Sequence, residues 1–268
     1  YRYIEITGID QALPLKAVQG NVISSIKDLS SSYETSNKSV NKLWENITWS
    51  MRGNFLSIPT DTPARNERMG WNGDISVFAR TATYLSDVNQ FMRRHNMANR
   101  DMQGANGRYA DVAPVGNGFG GILWGSAGLT LPWETYQQYG DKSILEEHYD
   151  SMKKYISYLD TRVNATTGLI NEGPLGDWLS PESNKTENTL LWSAYHAYDL
   201  EIMAKTAEAL GHQDEAEAYW KKYEERKAFF NTTFIDPETK KTIKSNGTTA
   251  DSQASYAVPL ALGIFNEE

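Results

Sequence analysis

Three carboxylic acids, Asp61, Glu67 and Asp74, lie within one short segment, residues 61–74, together with two arginines and a tryptophan. One proline and two glycines interrupt the segment and break any helical period of 3.6 residues. We therefore predict a loop rather than a solvated helix face. Carboxylates beside arginine and tryptophan suit acid–base chemistry on a sugar, which needs a proton donor, charge stabilisation and an aromatic wall.

The overall charge of the chain narrows the classes of ligand. With 34 acidic and 26 basic residues among 268, the net charge is −8 and the isoelectric point is about 5.2. This charge argues against nucleic acid and anionic membrane surfaces as partners. Eight Trp and fifteen Tyr residues supply flat apolar surfaces on which sugar rings can stack. The composition is therefore compatible with a carbohydrate ligand.

The sequence predicts no metal ion and no other cofactor. The chain lacks cysteine, and its four histidines are scattered without paired spacing. The glycine-rich residues 116–121 lack the lysine and the preceding strand of a phosphate-binding loop, so we interpret them as a flexible pocket loop. No apolar run is long enough to cross a bilayer, and the residues do not identify the cellular compartment.

Apolar periodicity divides the chain into two regions. Residues 1–33 contain short alternating or apolar runs between glycine and proline, which predict two or three strands. Residues 34–268 are predicted to be mainly α, with about eight helices in antiparallel pairs joined by alternately short and long loops. The expected helix caps are Ser36 or Ser39, Asp74 and Ser183. A ring of helical hairpins fits this pattern but usually needs more helices, so we expect the chain to be part of a longer protein.

The spacing of Asp, Arg, Glu, Trp and Asp in residues 61–74 resembles the signature of the bacterial α-L-rhamnosidases. The resemblance implies an inverting glycoside hydrolase with a six-hairpin α/α-barrel catalytic domain. It covers essentially the whole chain. Residues 1–33 would be the terminal strands of a preceding β-sandwich domain, and residues 34–268 would be the N-terminal part of an incomplete α/α barrel, or toroid.

The resemblance also implies roles for individual residues. Glu67 would be the general acid that protonates the departing glycosidic oxygen. Asp61 and Asp74 would hold rhamnose hydroxyls and stabilise positive charge at the anomeric carbon, while Arg65 and Arg68 would orient the acids. The other expected substrate-binding residues are aromatic or acidic: Trp71, Trp124, Asp177 and Trp178.

The protonation of Glu67 depends on opposing effects. A glycosidic oxygen leaves poorly until it is protonated, so the donor must keep its proton near neutral pH. Burial beside Trp71 and repulsion from the two aspartates favour the protonated form, whereas the two arginines favour the ionised form. The residues do not decide between these effects, so the role of Glu67 rests on the resemblance.

The chain departs from the family pattern in two ways. Family members usually carry other residues at Ala64, Asn66 and Ser126, and their general base is a glutamate farther downstream than this chain extends. An inverting site needs two carboxyls roughly 6.5–9.5 Å apart. We therefore expect little or no hydrolase activity from this chain alone. Glu172 is the residue to test if a second carboxyl exists within it.

Two other functions remain open from the sequence. One is another α/α-barrel carbohydrate enzyme, such as an unsaturated glucuronyl hydrolase, although a uronate would favour basic residues that are not surrounded by acids. The other is a non-catalytic carbohydrate-binding fragment. The expected partner is a rhamnose-containing glycoside or polysaccharide, whose aglycone and linkage the sequence does not specify. An incomplete ring would also expose apolar helix faces, which would permit a homodimer.

Overall fold

The computed structural model describes residues 3–116, 120–180 and 186–266. Nine α-helices and two strands of two residues each are assigned within these ranges, and the prediction of a mainly α chain is confirmed. The helices are α1 (Lys38–Asn54), α2 (Asn72–Leu85), α3 (Asn89–Asp101), α4 (Ile122–Gly125), α5 (Ala127–Tyr139), α6 (Ser143–Asp160), α7 (Asn188–Leu210), α8 (Gln213–Phe234) and α9 (Gln253–Ala261). The strands β1 (Phe55–Leu56) and β2 (Ile58–Pro59) pair antiparallel.

The first described residues differ from the prediction. Residues 3–33 contain one short 3-10 helix, Leu15–Ala17, and no strand. A strand needs a neighbouring strand to accept its backbone hydrogen bonds, and the alternating side chains at this end are largely exposed, so the two or three predicted strands are wrong for these residues. Hydrogen bonds from Ser25 N to Phe55 O (2.7 Å) and from Ser30 N to Leu85 O (2.9 Å) attach the segment to the helices.

Several helices start elsewhere than predicted. Helix α1 begins after Asn37, whose side chain accepts hydrogen bonds from two backbone N–H groups, so neither predicted serine is its cap. Helix α2 begins after Trp71, which places Asp74 in the first turn rather than at the N-cap. The predicted cap Ser183 lies outside the described residues, and α7 begins after Glu187.

The helices form two layers. Helices α2, α5, α7 and α9 form one row, because α2 packs on α5, α5 on α7 and α7 on α9. The row lines a concave groove of about 580 Å³. Helices α3, α6 and α8 pack behind the row, with α3 and α6 against α5, and α8 against α7. We call α2, α5, α7 and α9 the inner row.

Long connections precede α2, α7 and α9, and another precedes α4, which leads directly into α5. Hydrogen bonds link each of these connections to the next. The Asn72 N–H at the start of α2 donates to Asp111 O at 2.9 Å, and Ile122 N donates to Glu172 O at 3.1 Å. Farther along, Ser245 N donates to the Glu187 carboxylate at 2.7 Å. These connections therefore lie at one end of the row. They carry the candidate site residues except Asp74 in α2 and Trp124 in α4.

Candidate active site

The loop that carries the acids is closed by Asp61 and Met69. The Asp61 carboxylate accepts a hydrogen bond from Met69 N at 2.9 Å, and Asp61 N donates to Met69 O at 3.0 Å. Between them, Arg68 has a φ of 52°, a left-handed conformation that is strained for a residue with a side chain. Asp61 therefore closes the loop as well as being a candidate sugar ligand.

Both carboxylate oxygens of Glu67 have partners in the same loop. The Trp71 indole Nε1 donates to Glu67 Oε1 at 2.9 Å, and the Arg65 guanidinium lies 2.6 Å from Glu67 Oε2. Arg65 also lies 3.9 Å from Asp61 Oδ2, so it connects the two acids. Arg68 differs from expectation: its Nε donates to the Pro63 carbonyl at 3.3 Å, and within the described residues it forms no ion pair.

Asp74 lies beside the other two acids, in the first turn of α2. Burial raises the pKa of its carboxyl; a backbone hydrogen bond opposes this shift, and the negative charges of Asp61 and Glu67 add to it. Asp61 and Asp74 line a cavity of about 170 Å³, in which Phe55 and Phe78 contribute apolar walls. Two carboxyls that can form hydrogen bonds therefore lie next to an apolar surface. This arrangement suits a ligand that has both hydroxyl groups and an apolar face.

The start of α2 is held by residues that the sequence did not single out. The Asn72 side chain donates to Ala110 O at 2.7 Å, and its Oδ1 lies 3.1 Å from His95 Nε2. Burial lowers the pKa of His95 to about 3, so the ring is neutral and Nε2–H is the donor. A Cβ at Gly70 would lie only 2.2 Å from Ala113 O, so only glycine permits this close approach.

Trp124 packs between two glycine backbones. A Cβ at Gly73 would lie 2.8 Å from Trp124 Nε1, and a Cβ at Gly120 would lie 2.5 Å from Trp124 Cδ2. The ring is only 8% exposed. It therefore joins the first turn of α2 to the end of the glycine-rich loop, of which residues 117–119 lie outside the described residues.

A buried carboxylate at Asp111 holds the same end of this loop. Its two oxygens accept from Gly120 N at 2.6 Å and Gly121 N at 3.2 Å, and Arg108 lies 3.3 Å away. Two successive backbone N–H groups and a guanidinium therefore satisfy Asp111. The sequence carries no signal for Asp111, because a single aspartate 9 residues before its partner forms no motif.

Glu172, the residue suggested as a possible second carboxyl, belongs to the same network. Its oxygens contact Arg108 Nε at 2.7 Å, the Tyr158 hydroxyl at 2.7 Å and Arg162 Nε at 3.3 Å. Burial and the bond to Glu172 raise the pKa of Tyr158 to about 12. Because both oxygens of Glu172 are occupied, its geometry suits positioning of the loops rather than activation of a water molecule.

Asp177 and Trp178 lie on the connection that precedes α7. The Asp177 carboxylate accepts from Thr186 N at 3.1 Å, which fixes that side of the loop. Trp178 is 54% exposed, and Leu179 after it has a φ of 56°. The Trp178 ring is therefore available to stack on a ligand at the end of the inner row.

The described residues contain neither a cluster of metal ligands nor a membrane-spanning helix. In these residues, no three or more His, Asp or Glu side chains are grouped so that they could hold a metal ion. None of the helices in residues 3–116, 120–180 and 186–266 combines the length and apolar character needed to cross a membrane.

Comparison with known proteins gives a consistent result. Residues 28–268 match the model of the bacterial alpha-L-rhamnosidase 6 hairpin glycosidase domain. An alpha-L-rhamnosidase of Formosa agariphila is 37% identical over 279 residues, which cover 100% of this chain and 29% of that protein. The chain thus spans less than a third of the length of this relative.

Solved structures agree with the sequence match. The alpha-L-rhamnosidase of Dictyoglumus thermophilum aligns with a TM-score of 0.87 and 32% identity, covering 97% of this chain and 29% of that one. The Streptomyces avermitilis alpha-L-rhamnosidase, solved in complex with L-rhamnose, aligns with a TM-score of 0.78 and 36% identity, covering 87% of this chain and 22% of that one. The predicted fold of α/α-barrel hairpins is confirmed, and the chain belongs to the bacterial alpha-L-rhamnosidase six-hairpin glycosidase family.

Proposed function

We propose that this chain supplies the proton-donating half of an active site that removes terminal α-L-rhamnose from a glycoside or polysaccharide. The observation that carries the proposal is the grouping of Asp61, Glu67 and Asp74 at the start of α2, with Trp71 bonded to Glu67. Family membership and the L-rhamnose complex of a relative support the choice of sugar. The domain division follows the same reasoning: residues 1–33 end a preceding domain, and residues 34–268 begin the barrel.

Glu67 acts as the general acid in this proposal. Its carboxyl proton moves to the glycosidic oxygen as the bond from that oxygen to the anomeric carbon breaks, and the leaving group departs as a neutral alcohol. Positive charge then develops at the anomeric carbon and ring oxygen. The carboxylates of Asp61 and Asp74 stabilise this charge and hold sugar hydroxyls, while Trp71 forms the wall beside the ring.

Trp124, Asp177 and Trp178 extend the proposed pocket along the end of the inner row. Trp124 supports the first turn of α2 through its contact with Gly73, and the exposed Trp178 stacks on the sugar or on the group attached to it. Asp177 holds the loop that carries Trp178. Arg65 keeps Glu67 and Asp61 in their relative positions.

The reaction inverts the anomeric centre in this proposal, and its general base lies outside the chain. Inversion requires a second carboxylate on the opposite face of the sugar with space for water. The strongest candidate within the chain, Glu172, is engaged by Arg108, Tyr158 and Arg162. The chain alone is therefore expected to bind rhamnose but to hydrolyse rhamnosides little or not at all.

Calorimetric titration of the chain with L-rhamnose and with glucuronate tests the proposal. We expect binding of rhamnose and none of glucuronate, because Arg65 is already paired with two acids. Asp61→Asn removes a charged hydrogen-bond acceptor, worth about 1.5–3 kcal/mol, and should weaken rhamnose binding roughly 10- to 100-fold. Asp141→Asn, which alters an exposed ion pair with Arg93, is the matched control and should leave binding unchanged. Tighter binding of glucuronate than of rhamnose would contradict the proposal.

A further inference from the structure

Asp199, on α7, is a buried acid that has no cationic partner among the described residues. Its exposed fraction is 0%, and within the described residues it takes part in no ion pair. Its single hydrogen-bond partner in that part of the chain is the Ser126 hydroxyl, and its Oδ1 atom has none. An ionised carboxylate in such a place would lose its hydration without compensation, which is strongly unfavourable.

The hydrogen count at Ser126 identifies which group supplies the proton. Ser126 Oγ lies 2.7 Å from the Ile122 carbonyl oxygen and 2.7 Å from Asp199 Oδ2. A hydroxyl has one hydrogen to donate, and a carbonyl oxygen can only accept. If Ser126 donates to Ile122, the hydrogen between Ser126 and Asp199 must belong to Asp199.

The ionised alternative fits the same geometry poorly. If Ser126 donated to an ionised Asp199, two oxygen atoms, Ser126 Oγ and Ile122 O, would face each other at 2.7 Å with no hydrogen between them. Asp199 Oδ1 would also remain a charged oxygen without a donor. A neutral acid avoids both costs.

In the part of the chain that the structure describes, the groups that face Asp199 do not include a cation at hydrogen-bond distance. Helix α6 contributes Tyr155, whose hydroxyl lies near Ser126 but makes no hydrogen bond of good geometry within the described residues, and α7 itself contributes Tyr195 and Tyr198. More distant charges act on these tyrosines in opposing pairs: Arg108 with Glu172, and Arg80 with Glu134. Burial raises the pKa of Asp199 well above its usual range, and the Ser126 bond opposes this only in part.

We infer that Asp199 is a positioning residue whose carboxyl group stays neutral in the folded protein at neutral pH and donates a hydrogen bond to Ser126. Ser126 ends α4 and begins α5, and Trp124 lies two positions before it. The bond therefore fixes the joint between α4 and α5 against α7. Through Trp124 it also supports the backbone at Gly73, next to Asp74.

Infrared difference spectroscopy at neutral pH tests the protonation state directly. Subtracting the spectrum of Asp199→Asn from that of the wild type should leave the C=O stretching band of a protonated carboxylic acid. Asp160→Asn is the control, because Asp160 is half-exposed and pairs with Lys222 at 2.6 Å, so its removal should change carboxylate bands only. If Asp199→Asn loses carboxylate bands and no protonated-acid band, the inference is overturned.

The pH dependence of stability provides an independent measurement. An acid that keeps its proton on folding makes the wild type less stable as pH rises above the unfolded pKa of about 3.9. The unfolding equilibrium constant of the wild type, divided by that of Asp199→Asn, should rise tenfold per pH unit until the folded pKa is reached. A ratio that does not change with pH would overturn the inference. Failure of Asp199→Asn to fold would also overturn the inference, because the asparagine amide can donate the same hydrogen bond to Ser126.

The positioning role is tested at the indole of Trp124. Its N–H resonance, assigned by comparison with Trp124→Phe, should shift in Ser126→Ala and stay in place in Asp199→Asn. Ser193→Ala is the control, since Ser193 is a buried hydroxyl on α7 that has no hydrogen-bond partner in residues 3–116, 120–180 and 186–266. An unmoved resonance in Ser126→Ala, or an equal shift in Ser193→Ala, would overturn the positioning role. None of these readouts requires catalytic activity, so they remain interpretable if the proposed function is wrong.

Discussion

Asp74 occupies a position where its proposed role in sugar binding and the stability of the chain make opposite demands. Burial and the charges of Asp61 and Glu67 favour the protonated form of its carboxyl, although it lies in the first turn of α2, where a negative charge is favourable. Hydrogen bonds from ligand hydroxyl groups would favour the ionised form of this carboxyl. Function and stability are therefore expected to separate in a variant that keeps the shape and removes the charge.

Asp74→Asn should raise the stability of the ligand-free chain more at pH 7 than at pH 4. Because the folded pKa of Asp74 is raised, the stability linked to its proton is complete below the unfolded pKa and is lost as pH rises through the folded pKa. Urea denaturation of both proteins at the two pH values measures the difference. A stability gain that is equal at both pH values, or larger at pH 4, would contradict the assignment of the shift.

Glu172→Gln should destabilise the chain by about 1–3 kcal/mol, because it removes a buried charge on which two arginines depend. The measurement is the free energy of unfolding in urea. Glu225→Gln, at an exposed position of α8, is the matched control and should change stability by less than about 0.5 kcal/mol. Equal stabilities for Glu172→Gln and the wild type would show that the network does not hold the loops.

At the scale of elements, periodicity predicts the helices well and the connections poorly. Apolar residues recur every three or four positions from Ile75 and from Leu191, and these segments are α2 and α7, because a helix that buries one face repeats apolar residues at that spacing. The predicted strands of residues 1–33 fail because alternation describes side chains, whereas a strand also needs a partner for its backbone.

Some residues of the candidate site can be predicted from the sequence, and others cannot. The acids and Trp71 lie within one short segment, so their grouping is visible in the sequence. Asn72 and His95 are 23 positions apart, and Ser126 and Asp199 are 73 positions apart. Such pairs meet only after the helices have packed, and a single residue of each pair carries no local signal.

Gly73→Ala tests the contact between two elements, α2 and α4. The added methyl group would lie 2.8 Å from Trp124 Nε1, so the ring or the first turn of α2 must move. We expect a loss of about 1–3 kcal/mol in the free energy of unfolding. Gly20→Ala is the matched control, because nothing lies within 4 Å of its added methyl group. A Gly73→Ala protein as stable as the control would contradict the described packing of Trp124.

At the scale of the whole molecule, the inner row exposes apolar side chains. Val77 on α2 is 72% exposed and Leu260 on α9 is 69% exposed. Burial of such residues against a second copy is favourable, at roughly 25 cal/mol per Å² of apolar surface. A homodimer is therefore expected in solution.

Light scattering coupled to size-exclusion chromatography measures the oligomeric state. The wild-type chain should elute with the mass of a dimer, and the double variant Val77→Asp and Leu260→Asp should shift it towards a monomer of about 30.2 kDa. Leu15→Asp, on the exposed 3-10 helix outside the inner row, is the control and should remain dimeric. A wild-type chain that is monomeric throughout would contradict this expectation.

The most direct test of the central claim is a crystal structure of this chain grown with L-rhamnose. The account predicts a sugar whose hydroxyls lie at hydrogen-bond distance from Asp61 and Asp74, with its ring beside Trp71 and its anomeric oxygen directed towards Glu67. Rhamnose bound only elsewhere, for example in the groove of the inner row, with the space between the three acids empty, would contradict the account.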